Sequence, residues 1–158
     1  MHFALDHKDQ GLKVVYTLSA ELKADPGYVR DVQALSLDND RPLMGLKPTH
    51  GLFGSDEWWE SIKSGCIRTA HVTGTIRELI FAGQDARWGD SVNAFKLEKE
   101  DGTTVLEGIY VQDKVDRDLF RVGAKVSCWY ALLELKGQPA PDGTVDYAET
   151  VLEMAVSA

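Results

Sequence analysis

Serine, histidine and acidic side chains fall close together in the run His50-Gly51-Leu52-Phe53-Gly54-Ser55-Asp56-Glu57. These are the residue types of a nucleophile, a base and an orienting carboxylate, the set that acyl-transfer enzymes use to activate a hydroxyl. The local setting favours a simpler reading. No G-x-S-x-G elbow surrounds Ser55, and a serine followed by two acids is what the start of a helix requires. A small hydrolase at His50 and Ser55 is thus one alternative for this chain. No residue is assigned a catalytic role.

Other chemistries leave less trace. His2, His7, His50 and His71 show no HxxxH or HExxH spacing, and Cys66 and Cys128 are far apart in sequence, so no metal site is predicted. Two cysteines make no disulfide framework and read as reduced thiols. No phosphate-binding glycine loop occurs, and no cofactor is implied. The remaining candidates are binders. Arg87 and Trp88, in the polar loop from Gln84 to Asp90, offer a cation beside a stacking surface, which suits a single-stranded nucleic acid. Asp85 and Asp90 in the same loop oppose that use, and the alternative is that Trp88 closes over the core. Trp59 and His50 complete the candidate ligand-binding set.

The charge balance weighs against nucleic acid. The net charge is −8, with 17 Lys+Arg against 25 Asp+Glu. Residues 1–65 hold 7 basic and 10 acidic side chains, and residues 66–158 hold 10 and 15, so neither part is basic as polyanion binding demands. An acidic surface suits solubility or a basic protein partner. No apolar run approaches the roughly 20 residues of a membrane span. The stretch from Met1 to Asp9 is charged where a signal peptide would be apolar, and a cytoplasmic protein is expected.

The elements that must position these residues are mostly strands. Leu12 to Leu22 alternates with period two, though Leu12, Val15, Tyr16, Ser19 and Leu22 also share a helical face. Read as a strand, it opens a small β-meander: a turn at Ala24-Asp25-Pro26-Gly27, a strand from Tyr28 to Leu37, and an edge strand from Pro42 to Leu46. Ser55 to Gly65 is a short helix, capped by Ser55 and stopped by Gly65, with Trp58 and Ile62 on one face and Trp59 turned away.

Beyond it, alternating runs predict strands at 69–77, 92–98, 104–112, 125–135 and 149–157. A short helix at 114–120 sits between the third and fourth. The run Glu98 to Asp118 includes Glu100, Asp101, Asp113 and Asp116, read as solvated turn and cap residues. This order is that of an OB-like five-stranded barrel. The chain divides accordingly into 1–65, a meander plus the Trp-Trp helix, and 66–158, the barrel.

The segment Gly54-Ser55-x-Glu57-Trp58-Trp59, followed by a strand-rich run ending in Leu152-Glu153-Met154-Ala155-Val156, resembles bacterial proteins of unassigned function. These carry a G-S-x-E-W-W segment before an OB-like half. The resemblance implies no catalytic residues. Together the observations predict a non-catalytic binding or interaction module of the immunity or adaptor kind. Its partner would be a protein or small ligand. The single-stranded nucleic-acid and hydrolase readings are the alternatives.

Overall fold

The computed structural model describes residues 11–81 and 92–158. Among these residues, six strands form one open antiparallel sheet: β1 (Leu12–Thr17), β2 (Thr69–Ile80), β3 (Ala94–Glu98), β4 (Thr104–Gly108), β5 (Lys125–Glu134) and β6 (Tyr147–Ser157). Their order across the sheet is β1-β6-β5-β2-β3-β4. Among the described residues, three α-helices lie in sequence between β1 and β2, α1 (Leu18–Ala24), α2 (Pro26–Leu37) and α3 (Asp56–Ser64), and a 3-10 helix at Lys114–Leu119 lies between β4 and β5. The loop from Gln84 to Asp90, with Arg87 and Trp88, lies outside the described residues, as do His2 and His7.

The predicted barrel is not closed. Closure would need the last strand to pair back onto β4, but one edge of β6 is taken by β1, in register from Leu12↔Ser157 to Thr17↔Glu153. β4 is only five residues long. Beyond it, the Gln112 amide donates to the Val15 carbonyl (3.0 Å). The Gln112 side chain then accepts from the Thr17 amide and donates to the Thr17 carbonyl (3.0 and 2.9 Å). One carboxamide thereby satisfies backbone groups on the outer edge of β1, which an exposed edge would otherwise offer to another chain.

The predicted β-meander is also replaced. β1 ends at Thr17 and the chain turns helical at Leu18. The segment from Tyr28 to Leu37, expected as a strand, lies in α2. The reason is local: the Asp25 carboxylate accepts from the Tyr28 amide (3.1 Å), and Pro26 stands in the first turn, where its missing N–H costs nothing. Of the expected edge strand from Pro42 to Leu46, only a single bridge between Leu46 and Leu135 forms.

The chain folds as two compact units. The first consists of Leu18–Ala70 and Tyr130–Leu152. Its three helices are joined by loops that the 130s segment holds in place. Lys47 donates its amide to Glu134 and Lys136 donates its amide to Gly45 (2.9 and 3.0 Å). The Lys136 ammonium donates to the carbonyls of Leu35, Asp38 and Arg41, at and just past the end of α2. A cation there meets the negative end of the helix dipole.

The second unit consists of the described parts of His2–Thr17, His71–Trp129 and Glu153–Ala158. Phe95 and Leu97 of β3 and Ile76 of β2 are wholly buried, as the period-two pattern predicts. Asp116, expected as a solvated acid, is instead buried and paired with Lys13 (2.6 Å). Gly74 sits in mid-strand because β3 passes too close for anything larger: a Cβ there would overlap the Glu98 carbonyl and the Leu97 side chain.

The sequence Asp-Gly-Thr occurs twice, at 101–103 and 142–144, and folds identically. In each, the aspartate accepts from both the amide and the hydroxyl of the threonine, and the glycine takes positive φ (85° and 86°). The threonine hydroxyl, and then its amide, hold both carboxyls below the ordinary aspartate range.

Candidate functional site

α3 presents two tryptophans to two different environments, because neighbouring residues lie about 100° apart around a helix. The Ser55 hydroxyl accepts from the Trp58 amide (3.2 Å), Asp56 and Glu57 occupy the first turn, and Gly65 ends the helix at φ 87°. The start and stop predicted from sequence are therefore those observed. Within those ends the helical period sets which residues share the inward face. Trp58 and Ile62, four apart, are each only 3% exposed. The Trp58 ring meets Phe53 at 5.0 Å between centroids and Trp59 edge-on at 4.8 Å. Trp59 is half-buried.

Trp59 forms one wall of a groove of about 420 Å³, with Leu22 and Lys23 of α1 and Pro26, Val29 and Arg30 of α2. Neither Lys23 nor Arg30 makes an ion pair among the described residues. Asp56, Glu57 and Glu60 are exposed on α3 but do not line this groove.

His50 and Ser55 are not brought together as a catalytic pair. The His50 carbonyl accepts from the Ser61 hydroxyl (3.0 Å). His50 lines a separate cavity of about 20 Å³, beside Trp58, Phe53 and Glu134. That space suits about one water, and Ser55 does not border it. A serine engaged as a cap is poorly placed for activation. We expect Ser55→Ala to cost about 0.5–2 kcal/mol in urea unfolding. A loss well below that would mean that the hydroxyl does not hold the helix end.

One further arrangement escapes sequence reading. His71 on β2 lies flat against Trp129 of β5, with ring centroids 4.2 Å apart and planes 3° from parallel. Its Nε2 is 2.6 Å from the hydroxyl of the wholly buried Ser127. The two ends are 56 and 58 residues apart, and only strand register joins them. Buried as it is, Ser127 is out of a substrate's reach, so this His–Ser pair holds structure together.

Among the described residues, no cluster of three or more His, Cys, Asp or Glu is placed to hold a metal ion. No helix among them is long and apolar enough to cross a membrane. Cys66 is exposed and Cys128 is buried, and neither is in a disulfide among the described residues.

Comparison with individually curated proteins gives no match. The sequence profile of the immunity protein RhsI2 family matches residues 12–157. Nearly the whole chain is covered, from the first residue of β1 to the last of β6, and the chain belongs to the RhsI2 family of immunity proteins.

Proposed function

We propose that this chain protects the cell that makes it by binding a protein toxin tightly and holding it inactive, as a stoichiometric inhibitor in the cytoplasm. The observation that carries this reading is the family match across residues 12–157. The structure is consistent with it on physical grounds. The cavity at His50 is too small for a substrate, and Ser55 is committed to a helix cap. The net charge of −8 would draw a basic partner into encounter at long range. Exposed carboxylates such as Asp56, Glu57 and Glu60 would contribute to that field. No observation favours the nucleic-acid reading, whose residues Arg87 and Trp88 lie outside the described part of the chain.

The test is protection. Cells expressing a candidate cognate toxin should stop growing, and co-expression of the chain should restore growth. The purified proteins should elute together as an equimolar complex whose association slows as salt is raised. A chain that neither restores growth nor forms a complex at micromolar concentration is not the immunity partner of that toxin.

A further inference from the structure

We propose that the groove between α1, α2 and Trp59 receives a segment of the toxin that carries an apolar side chain next to a carboxylate. This assignment rests on the toxin-binding reading above and names the chemistry of one part of the contact.

Three observations support it. The first is shape. At about 420 Å³ the groove is the size of a typical binding cleft, and its floor and wall are apolar: Leu22, Pro26, Val29 and the ring of Trp59. The second is charge. The unit that contains it, Leu18–Ala70 with Tyr130–Leu152, holds 12 Asp+Glu against 7 Lys+Arg, a net −5. Yet the ionisable side chains lining the groove, Lys23 and Arg30, are both cations, and neither is ion-paired among the described residues. A positive spot within a negative unit selects its occupant. A carboxylate entering there gains attraction that an apolar wall strengthens by excluding water, and a basic segment is turned away.

The third is residue type. Tryptophan and arginine are the side chains on which interface energy most often concentrates, and a planar guanidinium can hold a carboxylate through two parallel hydrogen bonds. Trp59 is also held in place before any partner arrives, by its edge-on contact with the buried Trp58. Little freedom is lost when it is covered. The helices that frame the groove are fixed by Asp25 and Ser55 at their N-termini, so the cleft exists in the free protein.

Calorimetric titration of the chain with its toxin tests the assignment. Lys23 and Arg30 are exposed, though Lys23 stands in the last turn of α1, so Lys23→Glu with Arg30→Glu should lower the midpoint of urea unfolding only slightly, which is checked beside the titration. This double reversal should weaken binding on the order of 100-fold. Neutralisation, Lys23→Gln with Arg30→Gln, should weaken it less. Trp59→Phe should cost about tenfold, and Lys63→Glu, an exposed charge of α3 outside the groove, should stay within about threefold. Wild-type binding that survives the double reversal unchanged overturns the assignment and leaves the immunity reading standing. Binding that tightens on reversal means a basic segment sits there and also overturns it. A wild-type chain that does not bind the toxin removes both.

Discussion

Trp58→Ala should lower the free energy of unfolding by about 3–5 kcal/mol, the loss typical of a large aromatic cut from a core. Trp58 is almost wholly buried, and its ring touches Phe53 and Trp59. Removing it leaves a void next to the existing cavity at His50, which Trp58 already helps to line. The walls there include Phe53 and Leu133, and they gain no new partner unless the loop collapses. Urea unfolding of Trp58→Ala and Trp59→Ala side by side measures the contrast. Trp59, half-buried, should cost distinctly less. Equal losses would show that the two rings share one environment, and would undo the separation of core and groove on which the candidate site depends.

Gly74→Val should be nearly as damaging, at about 3 kcal/mol, the upper part of the range for overpacking. The added carbon would meet the Glu98 carbonyl and the Leu97 side chain, and Leu97 is itself wholly buried. Backbone cannot rotate away as a side chain can, so β2 and β3 would have to separate. Their register is Thr75↔Glu98 and Ile76↔Leu97, with a bulge immediately after. Amide exchange should therefore quicken first at Thr75 to Leu79 and in β3. Unchanged stability in Gly74→Val would mean the strands are farther apart at this point than the structure places them.

Local signals were the legible part of this sequence. Ser55, Asp56, Glu57 and Gly65 act within a few residues of themselves, and the helix they bound is the helix observed. The strands at 69–80, 94–98 and 125–134 lie where the alternating runs place them, with Phe95 and Leu97 buried on either side of an exposed Lys96, while the strand at 125–134 is buried along both faces. Misreadings arose where two local codes overlapped. Leu12 to Leu22 fits period two and a helical face at once, and the chain uses both: strand to Thr17, helix from Leu18. Asp25-Pro26-Gly27 fits a turn, but Asp-Pro is equally an N-cap followed by the first helical position, and capping won.

Long-range facts were out of reach. Whether a sheet closes depends on which strand claims the last free edge, and no residue in β6 announces that β1 will. The groove, likewise, exists only because α1, α2 and α3 converge. From sequence, Trp59 could be seen to point away from the core, but the two cations beside it could not be placed.

Lys136 carries one more consequence. Its ammonium is shared among three carbonyl oxygens, from Leu35, Asp38 and Arg41, an arrangement in which other proteins place a metal ion. Here the ion is tethered to the backbone by its own side chain. It cannot be diluted, chelated or exchanged for a competitor. The loop that carries the exposed Leu43 and Met44 is thus held by a resident cation whose supply never depends on what the surrounding solution contains.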